Sequence, residues 1–357
     1  KEMVKNQKIT DRYSIYNGDS MELMKTLPDE SVDLSMYSPP FVGLYKYSSS
    51  QLDLSNCKDK EEFLKQYEFF VKEKFRIMKA GRISAVHTMD VFSHTEDNYD
   101  FPADVIKMHQ ENGFHYFGRI TIWKEPLTVR MRIMAKHLMH KLIVEDSTKT
   151  SCAMPDYLLI FKKRGENKVP VTHPFGLTHY AGEYPLLVEH LEDYGIQMPE
   201  LKGMWIESKG RYSYTNAIKE YINQSFEELK RKYANHKDPR SNKLSHIIWQ
   251  RYASSVWDDI RLDNVLKYKS AKTEDDEKHV HPLQLDVCDR IVELYSNPNE
   301  VVFTPFMGVG SEVYSAVSMG RFAIGCELKD SYYHQAELNL ENVETRFEVK
   351  EKETSLF

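Results

Sequence analysis

Residues 300–327 constrain the fold of this chain more than any other segment. A short apolar run at 300–303 leads into a glycine-containing turn at 304–310, and a helical pattern follows at 311–319. A second apolar run at 322–326 ends in Glu327. Two strands joined through a helix pair in parallel, so this segment predicts a strand-turn-helix-strand unit with an acid at the tip of its second strand.

The turn predicts a nucleoside cofactor. Gly308 and Gly310 allow the backbone to approach a ligand closely, and the helix start that follows offers free N–H groups. Glu327 is suited to accept hydrogen bonds from both hydroxyls of a ribose. The third glycine of the dinucleotide-binding motif is absent, because Val313 stands at its position. The pattern therefore argues against NAD and FAD.

A second informative feature follows the apolar run at 32–37. Ser38, Pro39, Pro40 and Phe41 form a turn in which two consecutive prolines fix φ and remove two backbone donors. Such a turn holds its carbonyls rigidly, with a hydroxyl and an aromatic ring beside them, and is suited to grip a planar amino group. Pro-Pro also punctuates ordinary loops, so both interpretations stay open on the tetrapeptide alone.

Periodicity predicts the rest of the fold. Strand-like segments occur at 13–16, 83–87, 115–123 and 157–161, with helical patterns between them. Residues 61–79 give the clearest amphipathic helix, with Gly81 just after its end. Strands that alternate with helices predict an α/β fold with a mostly parallel sheet.

Together, the turn at 38–41 and the sequence FMGVG at 306–310 resemble the motifs of the S-adenosylmethionine-dependent DNA amino-methyltransferases, which modify adenine N6 or cytosine N4. Residues 17–20 with 27–34, and residues 281–284, resemble two further segments of that family. The order of the motifs is that of its β group, most similar to phage and mobile-element enzymes. Thr304 and Ser38 depart from the pattern, since each replaces a commoner Asp.

The resemblance implies a Rossmann-like methyltransferase fold. Its mostly parallel, seven-stranded sheet would carry helices on both faces and an inserted target-recognition region. Four segments are expected: a catalytic half at 1–165, the recognition insertion at 166–254, a cofactor-binding half at 255–345 and a charged tail at 346–357. A lid or an oligomer surface is the alternative use of the insertion.

The resemblance also implies roles for individual residues. Ser38 Oγ and the Pro39 carbonyl would accept hydrogen bonds from the amino group of a flipped base. Pro40 would stiffen the turn and Phe41 would stack on the base. The expected contacts of S-adenosylmethionine are Asp19, Phe306, Gly308, Gly310, Ser311, Glu327 and, by position alone, Gln284.

Double-stranded DNA is the expected partner. The net charge of −6 does not exclude it, because the local field along the docking face matters more than the total. Basic residues are dense between 119 and 141 and within the insertion, where solvated helix faces are the alternative. The expected DNA contacts are Tyr45, Tyr47, Lys124, Arg130, Arg132, Lys136, Lys141, Lys209 and Arg211.

Composition sets further limits. With 357 residues, 41% of them apolar, the chain can bury a substantial core. No apolar stretch approaches the roughly 20 residues that span a bilayer, so we expect a cytoplasmic protein that does not bind a membrane. The cysteines and histidines show no metal-binding spacing, so catalysis is expected to need no metal. The oligomeric state, monomer or homodimer, is open.

The sequence also suggests one further partner and two alternative functions. The terminal Ser355-Leu356-Phe357 resembles short peptides that dock on replication sliding clamps. A methyltransferase acting on RNA or on protein glutamine would use the same Pro-Pro-aromatic turn. A catalytically silent DNA-binding protein of this fold is the other alternative, suggested by Thr304 and Ser38.

Overall fold

The computed structural model describes residues 4–40, 60–91, 98–133, 135–172, 227, 249, 251–272 and 281–344. The chain divides into two compact units, one formed by residues 1–171 and 264–357 and the other by residues 172–263. In chain order the described strands are β1 (Val4–Ile9), β2 (Tyr13–Gly18), β3 (Val32–Tyr37), β4 (Met78–Met89), β5 (Phe114–Ile122), β6 (Asp156–Lys163), β7 (Val256–Trp257), β8 (Val301–Thr304) and β9 (Phe322–Glu327).

A single sheet organises the first unit. Its strand order is β1-β2-β9-β8-β3-β4-β6-β5. Neighbours from β2 to β4 pair in parallel, whereas β1 and β6 run antiparallel to their neighbours. The sequence predicted seven of these strands, namely β2, β9, β8, β3, β4, β6 and β5 in their order across the sheet, which confirms the α/β fold. The sheet gains β1 as an antiparallel edge strand that the sequence did not predict.

Helices flank this sheet on both faces. In chain order the described helices are α1 (Ser20–Thr26), α2 (Lys60–Ile77), α3 (Phe101–Glu111), α4 (Pro126–Ile133), α5 (Leu142–Glu145), α6 (Leu285–Tyr295), α7 (Ser311–Ser318) and α8 (Asp330–Leu340). Short 3-10 turns occupy Lys136–Leu138, Ser147–Lys149 and Lys269–Ala271. Phe63 and Phe70 of α2 pack in one cluster with Tyr37 of β3 and Phe101 of α3. Helices α6 and α7 contact β3 and β8 respectively.

The predicted helix at 61–79 needed correction at its end. Helix α2 ends at Ile77, and β4 begins at the next residue, Met78, five residues before the predicted strand. Met78 pairs with Val32 of β3, so sheet pairing outweighs the helical pattern there. Gly81 lies in the strand with φ 72°, where a Cβ atom would approach the backbone nitrogen of Asn167 to 2.4 Å.

The described part of the second unit is small. Trp257 is buried and donates its indole N–H to the carbonyl of Tyr252 at 3.3 Å. Arg251 and Asp259 form an ion pair at 2.6 Å. The predicted recognition segment and the tail lie almost wholly outside the described residues, so both assignments stay predictions.

Parallel order determines where a site can form. The carboxyl ends of β2, β9, β8, β3 and β4 meet at one edge of the sheet, where ligands of open α/β sheets bind. Strand β6 begins at that same edge because it runs antiparallel to β4. Across the described residues, no helix has the length and apolarity that crossing a bilayer requires.

Candidate active site

The two sequence motifs lie at the ends of adjacent strands. Ser35 of β3 pairs with Phe303 of β8, so three residues further on Ser38 leaves its strand beside Phe306. The rings of Tyr37 and Phe306 are in edge contact, with centroids 5.7 Å apart. The structure therefore brings the Pro-Pro turn and the glycine turn together.

Hydrogen bonds hold the glycine turn at residues 307 and 309, and Gly308 between them faces open space. The backbone N–H of Met307 donates to the Cys326 carbonyl at 2.9 Å, and Asn339 Nδ2 donates to the Val309 carbonyl at 2.9 Å. A Cβ atom at Gly308 would meet no heavy atom of the described residues within 4 Å. Gly310 caps α7 with φ 95°, a conformation that L side chains rarely adopt. Gly308 thus faces free space in which a ligand can lie.

Two acids border that space. Glu327, at the end of β9, accepts the N–H of Gly308 at 2.9 Å through Oε2 and that of Lys329 at 2.8 Å through Oε1. Asp19 follows β2 and caps α1 by accepting the Met21 N–H at 2.8 Å. Burial raises the pKa of the Asp19 carboxyl above its ordinary value. Both carboxylates keep lone pairs that can accept further hydrogen bonds.

Several buried polar atoms at this edge have no hydrogen-bond partner among the described residues. They are Ser311 Oγ at the start of α7, Thr304 Oγ1 at the end of β8 and Gln284 Oε1 just before α6. A buried polar atom left unpaired costs roughly 1–3 kcal/mol, which a bound polar ligand would relieve. These atoms, the open face of Gly308 and the two acids fit an adenosyl cofactor that carries a methionine group.

A chain of polar contacts leads away from the Pro-Pro turn. Ser38 Oγ lies 3.3 Å from His87 Nδ1 and 3.3 Å from the His87 carbonyl oxygen. His87 Nε2 lies 3.1 Å from Asp156 Oδ2, and Lys124 Nζ lies 2.5 Å from Asp156 Oδ1. Burial alone would raise the pKa of Asp156, but the Lys124 charge and the contact with His87 hold it well below its ordinary value. Asp156 is therefore an ionised carboxylate.

A buried network supports the strand just before that turn. Lys74 Nζ contacts Tyr37 Oη at 2.8 Å, Ser84 Oγ at 2.9 Å and His109 Nε2 at 2.6 Å. Tyr37 Oη also lies 2.9 Å from Tyr67 Oη. None of these partners is an acid, and burial lowers the pKa of the Lys74 amine well below its ordinary value. The network fixes Tyr37, the residue that precedes Ser38.

The predicted DNA contacts are placed differently from one another. Lys124 is paired with buried Asp156, and its side chain is only 17% exposed. Lys136 and Lys141 are exposed, and Arg130 is partly exposed. Outside the described residues lie Phe41, Tyr45, Tyr47, Lys209, Arg211, Ser355, Leu356 and Phe357, and the side chain of Arg132 is likewise undescribed. Their roles stay predictions.

Sequence reasoning missed His87, Asp156 and Lys74. His87 and Asp156 meet only because β4 and β6 pair antiparallel. His87 of β4 lies opposite Leu158 of β6, and Asp156 precedes Leu158 by two residues on β6. Lys74 could have been found, because it follows Phe70 by four residues and so falls on the apolar stripe of α2. Among the described residues no three His, Cys, Asp or Glu side chains gather as metal ligands would.

Comparison with known proteins identifies the family. Residues 32–338 match the sequence profile of the N6/N4 methyltransferase family, described as DNA methylase. This match covers most of the chain, so the chain belongs to the N6/N4 DNA methylase family. The resemblance carried by the two motifs is thereby confirmed.

Individual relatives agree with this assignment. The type II methyltransferase M.BglI of Bacillus subtilis is 24% identical over 365 residues, which cover 98% of this chain and 91% of M.BglI. The type II methyltransferase M.BamHI of Bacillus amyloliquefaciens is 22% identical, over 97% of this chain and 60% of its own length.

Solved structures show the shared fold. TTHA0409 of Thermus thermophilus, a protein assigned to DNA modification, superposes with a TM-score of 0.54 at 19% identity, covering 95% of this chain and 97% of its own. The cytosine-N4-specific PvuII DNA methyltransferase gives a TM-score of 0.50 at 13% identity, covering 96% and 93%. The methyltransferase fold expected from the resemblance is confirmed.

Proposed function

We propose that this protein is a site-specific DNA methyltransferase that transfers a methyl group from S-adenosylmethionine to the exocyclic amino group of a flipped base, adenine N6 or cytosine N4. The observation that carries the proposal is the convergence of Ser38 and the glycine turn at adjacent strand ends, linked by the Tyr37–Phe306 contact. A base inside a duplex cannot reach such a site without leaving the stack, at a cost of a few kcal/mol.

The cofactor is S-adenosylmethionine. Family membership supports this, and TTHA0409 has itself been crystallised with S-adenosyl-L-methionine. Glu327 would hold the ribose and Asp19 the adenine amino group. Gly308 and Gly310 would form the floor beside Phe306. Buried atoms of Ser311 and Gln284, which have no hydrogen-bond partner in the described part of the chain, would pair with the methionine group. The bound cofactor supplies an electrophilic methyl group.

The chain's own contribution is to prepare the amine. An exocyclic amine is a poor nucleophile because its lone pair is delocalised into the ring. Acceptors aimed at its two N–H bonds favour the pyramidal nitrogen that attacks, and we assign that role to Ser38 Oγ and the Pro39 carbonyl. Pro40 keeps the turn stiff, and Phe41 would stack on the base. Orientation and preorganised dipoles then supply most of the acceleration.

DNA would approach the carboxyl edge of the sheet. Exposed Lys136 and Lys141, with Arg130, follow β5 at that edge and are suited to phosphate contacts. Leu127 and Met131 of α4 are 58% and 66% exposed beside them, which gives this surface apolar contact area as well. Recognition of the target sequence is assigned to residues 166–254.

Labelled S-adenosylmethionine tests the proposal. Purified protein is incubated with duplex DNA, RNA and a glutamine-rich protein, and the nucleosides of labelled DNA are identified by mass spectrometry. We expect N6-methyladenine or N4-methylcytosine in DNA only, lost in Ser38→Ala and retained in His115→Asn, which alters an exposed residue of β5. Label in RNA or protein alone, or no label with intact cofactor binding, would refute it.

A further inference from the structure

The Ser38 hydroxyl has a defined place for its own proton. Its Oγ lies 3.3 Å from His87 Nδ1 and 3.3 Å from the His87 carbonyl oxygen, and both atoms can accept. A hydroxyl has one proton and two lone pairs. Once the proton points at His87, the lone pairs are free to accept an N–H from a substrate amine.

The imidazole is oriented in turn by a buried ion pair. His87 Nε2 lies 3.1 Å from Asp156 Oδ2 but is not aligned for a regular hydrogen bond, and we assign the ring proton to Nε2, which leaves the lone pair on Nδ1, facing Ser38. Asp156 Oδ1 lies 2.5 Å from Lys124 Nζ. The side chains of His87, Asp156 and Lys124 are 12%, 6% and 17% exposed, so little water competes for these contacts.

We propose that Ser38, His87 and Asp156 form a proton relay that receives the proton released by the methylated amine, with Lys124 keeping Asp156 ionised. Many enzymes use such a triad, in which a base contacts the reacting group and a third group orients the base. This inference rests on the proposed function, because it names the residues that complete proton transfer at the same site.

Methyl transfer leaves a proton on the amine that the relay removes. The amine nitrogen forms a bond to the methyl carbon as the bond from sulfur to that carbon breaks. The nitrogen then carries one proton too many, which passes to Ser38 Oγ while the hydroxyl proton of Ser38 passes to His87 Nδ1. Asp156 stabilises the resulting imidazolium, which finally releases the proton to water. His87 and Asp156 act through Ser38 and are positioning residues.

The relay explains how Ser38 can stand at a position where Asp is commoner. Where relatives carry Asp before Pro-Pro, a carboxylate faces the amine directly. In this chain the carboxylate is Asp156, placed one imidazole ring behind the hydroxyl. The charged and titratable groups that contact the ring come from two elements besides its own, Ser38 after β3 and Asp156 at the start of β6, with Lys124 behind Asp156.

Nuclear magnetic resonance tests the relay without a substrate. The full chain is labelled with ¹⁵N in histidine, and the His87 signals are assigned by their loss in His87→Asn. We expect a protonated Nε2 and a bare Nδ1 whose resonance shifts in Ser38→Ala, with no such shift in the His115→Asn control. A protonated Nδ1, or a His87 spectrum that Ser38→Ala leaves unchanged, would overturn the relay.

Single-turnover methylation gives the second readout. His87→Asn and Asp156→Asn should slow the chemical step by roughly 100-fold, the lower end of acid-base effects, with cofactor Kd unchanged. Because Asp156→Asn leaves Lys124 unpaired, the double variant Lys124→Met with Asp156→Asn is measured beside it.

The two proposals fail in different ways. Unchanged single-turnover rates in both His87 and Asp156 variants, with Ser38→Ala impaired, would overturn the relay and leave the methyltransferase assignment standing. If wild type transfers no methyl group to DNA, the methyltransferase assignment fails and the relay fails with it, whatever the NMR result.

Discussion

Lys74 allows the buried network beneath the active site to be tested through its proton. Its amine is fully buried among Tyr37, Ser84 and His109, and burial lowers its pKa well below the ordinary value of 10.5. In the unfolded chain the same amine titrates normally. Between the two pKa values the unfolded chain therefore binds one proton more than the native protein.

The sign and size follow from proton linkage. Stability rises with pH wherever the unfolded state binds more protons, by about 1.4 kcal/mol per pH unit for one proton. Lys74→Met removes this contribution. From about pH 8.5 to 9.5 the free energy of unfolding of wild type should therefore rise by about 1.4 kcal/mol relative to Lys74→Met. Burial raises the pKa values of Tyr37 and Tyr67, so both stay protonated in the native protein, and their titration in the unfolded chain is common to wild type and Lys74→Met.

Urea unfolding at several pH values and constant ionic strength measures this difference. Other groups that titrate in the window are common to both proteins, so they cancel in the comparison. Lys107→Met is the matched control, because the Lys107 side chain is 73% exposed, and it should keep the wild-type slope. Equal slopes for wild type and Lys74→Met would refute a neutral, buried Lys74.

Two further predictions concern the cofactor turn. Gly308→Ala should fold, since no described heavy atom lies within 4 Å of its Cβ and a φ of 53° costs an alanine roughly 1–2 kcal/mol, but it should weaken S-adenosylmethionine binding at least 10-fold by calorimetry. Gly310→Ala should chiefly lower the melting temperature, because φ is 95° there and its Cβ also lies 3.3 Å from Ala336 Cβ. Burial raises the pKa of Glu312 to about 8, with the Glu327 carboxylate adding to the effect. The native protein therefore binds the extra proton, and stability should fall between about pH 4.5 and 8 in wild type but not in Glu312→Gln, as urea unfolding would show. Equal pH profiles for the two proteins would refute the Glu312 prediction. Unchanged cofactor affinity in Gly308→Ala would refute the prediction for the glycine turn.

The strands that the sequence predicted are those whose burial leaves a pattern in the chain. All six residues of β3 are buried, and they read as an apolar run. Strand β1 was missed because its sequence, VKNQKI, is mostly polar and largely exposed. It belongs to the sheet through backbone pairing with β2, and backbone hydrogen bonds place no demand on side-chain type at an exposed edge.

The same distinction separates the predicted from the unpredicted parts of the site. The Pro-Pro turn and the glycine turn are contiguous motifs whose residue types follow from local backbone geometry. His87 and Asp156 lie 69 residues apart by their numbers in the chain, and a contact between diagonal residues of an antiparallel pair has no local signature. Such a contact depends on strand register, which the sequence alone did not supply.

Ser38 shows why the unpredicted contacts matter for the predicted motif. An aspartate offers two acceptor oxygens and has no proton to direct, so its backbone position is nearly sufficient. A serine is an acceptor for the amine only if its single proton is directed elsewhere and its rotamer is fixed. In this chain the Lys74 network fixes the preceding Tyr37, and His87, oriented by Asp156, provides a partner for the hydroxyl proton. The proposed relay and the serine therefore require one another, and neither would work with the other's position filled by an apolar residue.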